Sequence, residues 1–476
     1  MTNQIDGDWV GGIEIEKWVF IKAHFDPERA EGTMDIPEKS MIAVNLTHIR
    51  TEDAHLHFEL EDAEHTIFHG QLENNTLSGE ITTAGTQGTF HLTKIMLCEP
   101  ATVEKYFGTY RLESGRILVF GWRWNAFVYL EGRRIIQVYP LSETVGFSEK
   151  GETITFDNRT LLVALNGSEI SGTKIDVYCE EEVTFSSTVT LSGVLTAPGE
   201  EFNPAVVLIH GSGAESREGY RFLADHLARH GIAALRYDKR GVGDSEGDWH
   251  YAALEDLAED VLAGVHFLQH HKNINAKAVG VVGTSQGGWV APLAASQSED
   301  VAFMVVISGA AVSPQSQELY RVTNELRYKG YSDSGVTLRV TGYRLELAAA
   351  KILRVIQNTV SVSKVLPPRL AFGLYLNWDF DPVPILKKIA CPVLAIFGEL
   401  DKLVPVKESV TLLKEALKDN DTITVFPKGN HALLESEIWV WSEIPRLKKK
   451  EFVPGYYDLI SDWIKEQVKN TKEGKK

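Results

Sequence analysis

The sequence predicts an α/β protein with a mostly parallel sheet, helices on both faces of that sheet, an inserted helical cap and a preceding all-β region. Residues 1–182 contain many short stretches of alternating polar and apolar side chains, separated by turn signals. From residue 183, continuous apolar strands alternate with amphipathic helices, a pattern typical of parallel sheets that are covered on both sides. Residues 313–380 interrupt this alternation with helical sequence. We interpret them as a cap inserted in a domain that spans residues 183–470.

The composition is that of a globular protein and limits the classes of partner. The 476 residues are 43% hydrophobic, and their net charge of −17 disfavours binding to nucleic acid or to an anionic membrane. The chain lacks the basic and apolar start of a secreted protein and any apolar run of about 18 residues, so we expect a cytoplasmic protein. Its three cysteines are widely spaced and predict neither a disulfide framework nor a metal site.

The first 182 residues predict an accessory β region. Similar openings at Gly7–Gly11 and Phe107–Tyr110 suggest that it consists of two units, residues 1–100 and 101–182. Several short strands with regular turn signals are typical of barrels or sandwiches. The histidines of this region do not recur at a metal-binding spacing, so we predict surface positions for them and no metal site.

The predicted C-terminal domain begins with a hairpin formed by Val183–Phe185 and Val189–Leu195. Apolar stretches then predict strands at Ala205–Ile209, Ala233–Tyr237, Ala278–Val282, Ala302–Ile307, Val393–Phe397 and Thr422–Phe426. Amphipathic stretches predict helices at Gly219–His230, Leu254–His270, Gly287–Ala295, Lys407–Leu417 and Tyr456–Val468.

The segment Gly283-Thr284-Ser285-Gln286-Gly287 is the most informative motif of the chain. It follows the apolar strand Ala278–Val282 and precedes a predicted helix. Small residues two positions on either side of a serine allow a sharp, strained turn that exposes the hydroxyl at its tip. Many hydrolases present a serine nucleophile in this way. We therefore predict that Ser285 is a nucleophile.

A serine hydroxyl needs a base that removes its proton and an acid that orients the base. In the predicted sheet, both partners should follow later strands, in the order serine, acid, histidine. Asp401 follows the strand Val393–Phe397, and His431 follows the strand Thr422–Phe426. We predict these two residues as acid and base. Reserve candidates for the acid are Glu399, Asp379 and Asp381.

An oxyanion intermediate requires N–H donors that are already in place. One donor is expected to be the amide of Gln286, directly after the nucleophile. The other is expected in the loop after the strand Ala205–Ile209, from Ser212 or, failing that, Gly213. His210 in the same loop is expected to brace the loop rather than act as the base. Trp289 is a candidate for the wall of the acyl pocket.

The segment Arg236-Tyr237-Asp238-Lys239-Arg240-Gly241-Val242-Gly243-Asp244-Ser245, together with the motifs above, carries a family resemblance. Residues from about 183 to 470 resemble the α/β-hydrolase superfamily, and in particular two-domain bacterial serine esterases of the EstD type and their serine-peptidase relatives. The β region resembles the accessory domain of the same group. The resemblance implies that Asp238 and Arg240 brace the loops of the active site. The chain departs from it at Thr284, where relatives often carry histidine.

These motifs predict a serine hydrolase that cleaves small carboxylic esters through an acyl-enzyme, without a metal or an organic cofactor. The expected partner is a small-molecule acyl ester, while the natural substrate and any homo-oligomer are left open. The main alternative is a serine aminopeptidase or a dipeptidyl-peptidase-like enzyme, with Glu318, Glu325 and Glu346 available in the cap to hold a substrate ammonium. An acyl transferase, a thioesterase and a binding protein with an idle site are further alternatives.

Overall fold

The computed structural model describes residues 2–199, 203–360, 376–418, 421–437 and 447–473. By its internal contacts the chain divides into two compact units. Of the described residues, the first unit contains 2–175 and 447–451. The second unit contains those between 176 and 437 and those between 452 and 473. The domain boundaries inferred from the sequence stay predictions.

The first unit begins with a closed barrel of eight antiparallel strands. Its elements are α1 (Thr2–Ile5), β1 (Gly7–Glu14), β2 (Trp18–Asp26), β3 (Glu31–Ile36), β4 (Met41–Glu52), β5 (His55–Leu60), β6 (Ile67–Glu73), β7 (Thr76–Thr83) and β8 (Thr86–Lys94). Each strand pairs with the next, and β1 pairs with β8 to close the ring. Alternate side chains fill the interior, where Phe58 stacks on Phe68 with 4.6 Å between ring centroids.

A second ring of eight antiparallel strands follows in the same unit. Its elements are α2 (Pro100–Val103), β9 (Gly108–Leu112), β10 (Ile117–Arg123), β11 (Ala126–Glu131), β12 (Arg134–Pro140), β13 (Val145–Ser148), β14 (Thr153–Asp157), β15 (Thr160–Leu165) and β16 (Ser168–Lys174). The pairing of β9 with β16 completes the ring, and the two-residue strand Lys450–Glu451 is added beside β12. The core is aromatic, and the buried Glu152 accepts hydrogen bonds from Tyr129 and Arg116.

The second unit is built on one eight-stranded mixed sheet. Its strands are β17 (Cys179–Ser186), β18 (Thr190–Ala197), β19 (Asn203–Ile209), β20 (Ala233–Tyr237), β21 (Ile274–Thr284), β22 (Met304–Ile307), β23 (Val393–Gly398) and β24 (Thr422–Phe426). The order is β17-β18-β20-β19-β21-β22-β23-β24. β17 and β18 form the predicted antiparallel hairpin, β18 pairs antiparallel with β20, and the other pairs are parallel.

Helices alternate with the strands of this sheet. They are α3 (Arg221–Arg229), α4 (Leu254–His270), α5 (Gly287–Gln297), α6 (Pro314–Tyr328), α7 (Asp333–Val360), α8 (Val383–Leu386), α9 (Val406–Ala416) and α10 (Tyr456–Glu473). The helices α6 and α7 lie in the predicted cap, and the part of that prediction that falls on residues 361–375 lies outside the described residues. No helix in the described part of the chain is both long and apolar enough to cross a membrane.

The predicted fold class, a mostly parallel α/β protein, is wrong for this chain. The strands before residue 176 form two closed antiparallel rings, and the sheet of the second unit is mixed because β17 and β18 join it in antiparallel pairs. The prediction took its description from the alternating strands and helices of the C-terminal part. Alternation of side chains along a strand shows that one face is buried, but it does not identify the pairing partner or reveal that a sheet closes.

A buried ion pair fixes the loop after β20 to the helix α4. The guanidinium of Arg240 donates two hydrogen bonds of 2.7 Å to the carboxylate of Asp260, and it also donates to the carbonyl of Asp256. Both side chains are almost fully buried. Such a pair keeps its geometry because the two groups satisfy each other, and removal of one partner leaves an uncompensated buried charge.

We expect Asp260→Asn to lower the free energy of unfolding by about 3–5 kcal/mol, because the variant leaves the guanidinium of Arg240 buried without a charged partner. Urea unfolding of the whole chain measures this loss. Glu259→Gln is the matched control, since Glu259 is an exposed carboxylate at the adjacent position of α4, and it should change stability by no more than about 0.5 kcal/mol. Equal midpoints for Asp260→Asn and the wild type would contradict the role of this pair.

Candidate active site

The chain reverses direction at Ser285, between β21 and α5. The backbone of Ser285 has φ +54°, a left-handed conformation that is strained for a residue other than glycine. Its N–H donates to the carbonyl of Ile307 at 2.9 Å. A Cβ on Gly283 would lie 2.3 Å from the carbonyl oxygen of Gly287, so only glycine fits at this approach. The turn that the sequence predicts is therefore present, with Ser285 at its tip.

Three side chains meet at this turn. The Nε2 atom of His431 lies 3.0 Å from Ser285 Oγ, and its Nδ1 atom lies 2.8 Å from Asp401 Oδ2. Both residues are buried. Since a carboxylate only accepts, the proton on Nδ1 is held by Asp401, which leaves the lone pair of Nε2 facing the hydroxyl. The structure thus joins the three residues that the sequence predicted as nucleophile, base and acid.

The loop after β23 fixes the carboxylate of Asp401. Its Oδ1 atom accepts hydrogen bonds from the N–H groups of Leu403 at 2.8 Å and of Val404 at 3.0 Å. With these bonds and the bond to His431, both carboxylate oxygens are engaged and the group has one orientation. The reserve acids lie elsewhere: Asp379 pairs with Lys351, and Glu399 accepts from the N–H of Lys428. Asp381 accepts from the N–H of Val383.

The helix α6 holds the same loop from the side of the cap. Gln317 donates to the carbonyl of Leu403 at 2.7 Å, and Asn324 donates to the carbonyl of Lys402 at 3.1 Å. The hydroxyl of Tyr320 donates to the carbonyl of Asp401 at 3.5 Å. Residues 317, 320 and 324 recur at helical spacing and so share one face of α6. The sequence analysis did not find these contacts, because the partners are about 80 residues apart.

Two loops beside Ser285 offer N–H donors. Within the described residues, no acceptor is recorded for the backbone N–H of Gln286 or of Ser212. Gln286 precedes the first turn of α5, where N–H groups have no partner within the helix. A Cβ on Gly211 would lie 3.5 Å from Ser285 Cβ, so the loop that carries Ser212 and Gly213 is next to the serine. Gly213 has φ +97°, which reverses this loop.

Lys239 joins these two loops, and the sequence analysis did not assign it a role. Its buried amine donates to the carbonyl of Gly211 at 2.8 Å and to Oε1 of Gln286 at 2.9 Å. On the other side of the same loop, Glu215 accepts from the N–H of Gly211 at 3.0 Å. Lys239 lies inside the segment that carried the resemblance, but nothing in the local pattern indicates its distant partners.

Two other predicted residues are buried. His210 lies 2.6 Å from the carbonyl of Tyr237, and burial lowers its pKa to about 3, so it is a neutral donor that braces the loop. Trp289 packs in the core and donates its indole N–H to the carbonyl of Val312 at 3.1 Å. Its place in the acyl pocket stays a prediction. In the described part of the chain, three residues outside the β region, His226, His230 and Asp458, lie close enough together to hold a metal ion.

Asp238 and Arg240 hold the loop after β20, near the site. Asp238 accepts hydrogen bonds from the backbone and the guanidinium of Arg217, at 2.6–2.9 Å. Arg240 makes the buried pair with Asp260 described above. Both residues thus have structural partners, in the manner that the resemblance implied.

Comparison with known proteins identifies a protein family and several named relatives. The model of the family described as serine aminopeptidase, S33 matches residues 200–437, which is half of the chain. The chain is 24% identical over 347 residues to "Esterase EstD" of Thermotoga maritima, which covers 69% of this chain and 79% of that protein. It is 27% identical over 246 residues to the "Pimeloyl-[acyl-carrier protein] methyl ester esterase" of Vibrio cholerae, with 49% and 89% covered.

Solved structures were compared as well. An esterase structure from Pyrococcus furiosus aligns with a TM-score of 0.41 at 18% identity and covers 61% of this chain and 91% of its own. Ser285, Asp401 and His431 lie within residues 200–437, the range that the family model matches. The chain belongs to the serine aminopeptidase S33 family of the α/β-hydrolase superfamily, and it is a hydrolase.

Proposed function

We propose that the protein is a serine carboxylesterase that cleaves small carboxylic esters through an acyl-enzyme. The observation that carries this proposal is the hydrogen-bonded chain from Asp401 through His431 to Ser285, at the tip of a strained turn. Relatives named as esterases support ester cleavage, although their identity to this chain is low. The predicted cytoplasmic location stays a prediction.

In the first step, His431 Nε2 takes the proton of Ser285 Oγ while that oxygen attacks the ester carbonyl. The distance of 3.0 Å between the two atoms suits this transfer. Asp401 keeps the imidazole in the required tautomer and stabilises the imidazolium that forms. The protonated His431 then gives its proton to the leaving alcohol. In deacylation, the neutral His431 takes a proton from a water molecule that attacks the acyl group, and it then gives this proton to Ser285 Oγ as the acid leaves.

The tetrahedral intermediate places negative charge on the former carbonyl oxygen. We assign the N–H groups of Gln286 and Ser212 as its donors, with Gly213 as the alternative to Ser212. Their lack of a recorded acceptor in the described residues supports this assignment, because preorganised donors stabilise such charge without reorganisation. Loss of one such donor typically costs about 10²–10³ in kcat.

Lys239 would hold the two donor loops at a fixed separation, since it bonds to Gly211 on one side and to Gln286 on the other. Burial lowers the pKa of its amine to about 8. The amine is therefore mostly protonated at neutral pH, and it donates to both loops. Lys239 acts as a positioning residue in this proposal, because it contacts the donor loops rather than the substrate.

An aminopeptidase is the second candidate, because the family description names that activity. It requires a free acidic group that binds the ammonium of the substrate. The contacts of the cap argue against this role. The carboxylate of Glu318 accepts from Arg321 at 2.7 Å and from Tyr343 at 2.9 Å, and Glu325 lies 3.4 Å from Lys329. Glu346 is exposed on α7. Two of the three carboxylates are thus already paired with other groups.

Ser285→Ala should lower kcat for p-nitrophenyl acyl esters by about 10⁶-fold, because no other group replaces the nucleophile. The assay compares acetyl to decanoyl esters with aminoacyl p-nitroanilides. Ser212→Ala is the matched control, since it removes a hydroxyl but keeps the N–H that we assign, and its turnover should stay within a few-fold of the wild type. If Ser285→Ala turned over the esters as fast as the wild type does, the proposal would be excluded. Anilide cleavage without ester cleavage would instead assign the aminopeptidase.

Asp401→Asn should lower kcat by about 10⁴-fold with little change in the fold, because the amide no longer holds the required tautomer of His431. Glu399→Gln is the control, since Glu399 precedes Asp401 by two residues and contacts Lys428 instead. It should retain wild-type turnover. If Glu399→Gln loses as much activity as Asp401→Asn, the assignment of the acid is wrong.

The depressed pKa of Lys239 predicts a dependence of stability on pH. Between about pH 8, the value in the folded chain, and pH 10.5, the ordinary value, the unfolded chain binds a proton that the folded chain does not. The contribution of Lys239 to the free energy of unfolding therefore rises with pH across this window. Between the two ends of this window, the free energy of unfolding of the wild type should rise by up to about 3 kcal/mol relative to that of Lys239→Met. Urea unfolding at both ends of the window measures the gain. Lys277 is exposed, so the free energy of unfolding of Lys277→Met should differ from that of the wild type by the same amount at both pH values. A difference between the wild type and Lys239→Met that does not change with pH would contradict the prediction.

A further inference from the structure

A cluster of two histidines and one aspartate lies between α3 and α10. His226 lies in the last turn of α3, His230 is the residue directly after the end of that helix, and Asp458 is in the first turn of α10. One ligand atom from each residue lies within 4.8 Å of the other two. The two imidazole rings stack with 4.1 Å between their centroids, and His226 Nε2 is 3.8 Å from Asp458 Oδ1. None of these residues belongs to the proposed active site.

The hydrogen bonds of the cluster define the tautomers of its two histidines and leave one ligand atom, Nε2 of His230, with a free lone pair. His230 Nδ1 lies 2.7 Å from the carbonyl oxygen of His226, which can only accept. The proton of His230 is therefore on Nδ1, and its Nε2 atom carries the lone pair. A backbone carbonyl that receives the other N–H is the usual support of a metal-binding histidine. His226 Nε2 faces Asp458 and lies 3.3 Å from the hydroxyl of Ser461, which itself donates to the carbonyl of Asp458 at 3.1 Å. His226 Nε2 therefore donates to Ser461, and its proton must move to Nδ1 when a metal binds.

We propose that His226, His230 and Asp458 bind one Zn²⁺ ion, with water as the fourth ligand. Two imidazole nitrogens and one carboxylate are a donor set that Zn²⁺ accepts with an open position. Two histidines at positions i and i+4 present both rings on one helix face, and the third ligand comes from a second helix. Such an ion ties the C-terminal helix α10 to α3.

The ligand atoms lie within 4.8 Å of one another and must approach further to bind one ion. Ligand atoms around a tetrahedral zinc are about 3.3 Å apart, as follows from bonds of about 2.0–2.1 Å. The side chain of Asp458 is 67% exposed, so it can rotate toward the two rings. The neighbouring cations are themselves paired: Arg229 lies 2.8 Å from Asp225, and Lys465 lies 3.9 Å from Asp462.

The chain contains a second histidine pair that serves as an internal comparison. His266 and His270 on α4 are also one turn apart, with 4.2 Å between ring centroids, and His270 Nδ1 is 2.8 Å from the carbonyl of His266. Within the described residues, no third metal ligand completes this pair in the way that Asp458 completes the other. The two pairs therefore differ in the carboxylate and in the angle between the rings, which is 27° for His226 and His230 and 48° for His266 and His270.

Calorimetric titration of the full chain with ZnCl₂, after removal of any histidine tag, tests the proposal. We expect one saturable site per chain. His230→Gln and Asp458→Asn should each weaken the affinity by at least about tenfold, because even outer-shell changes cost that much at metal sites. The controls are His270→Gln and Glu466→Gln, which change the comparison pair and an exposed carboxylate two turns further along α10. Both should bind Zn²⁺ as the wild type does.

Two results would overturn the proposal. One is the absence of saturable Zn²⁺ binding to the wild type. The other is an equal loss of affinity in the variants and in their controls, which would indicate nonspecific binding to surface histidines and carboxylates. Because Asp458 is exposed, its substitution by asparagine preserves the fold, and the result for this variant does not depend on the stability of His230→Gln. The outcome is also independent of esterase activity.

Discussion

The reversal of the chain at Ser285 is the constraint on which the rest of the site depends. A residue with a side chain in the left-handed region costs of order 1–3 kcal/mol, and the surrounding structure must compensate for it. Bonds from Ser285 N–H to Ile307 and from Gly288 N–H to Ser285 hold the turn on both sides. A Cβ on Gly288 would lie 2.3 Å from the Cα of Gly309, so the backbone itself packs here. The strained turn is therefore packed against the core, and Ser285 stays partly exposed at its tip.

Parallel pairing brings the other groups to this turn. The strands β19, β21, β23 and β24 lie in parallel in one sheet, so the loops at their carboxyl ends meet at one edge. Asp401 and His431 lie on two of these loops. Secondary contacts then fix the loops: α6 binds the backbone around Asp401, and Lys239 joins the loop of Gly211 to Gln286. Helix α6 belongs to the cap, so the cap and the acid loop are physically coupled.

The sequence allowed some of these features to be predicted. The helix Leu254–His270 and the strand Thr422–Phe426 have the predicted bounds, because each has a clear periodicity and clear ends. Ser285, Asp401 and His431 were found from their places after strands, and their catalytic roles stay predictions. The sequence left barrels and sandwiches as alternatives for the β region, because closure depends on distant pairs such as Trp9 with Lys94. The contacts of Lys239 span 28 and 47 residues, and no local pattern reports them.

The central claim is that Ser285 forms a covalent bond with the acyl group of the substrate. The most direct test is to quench a reaction of the full chain with p-nitrophenyl acetate in acid, digest the protein and locate the added acetyl mass by tandem mass spectrometry. We expect one acetyl group on the peptide that contains Ser285, and none on that peptide in Ser285→Ala. A stable acetyl group on another residue during turnover, with Ser285 unmodified, would contradict it.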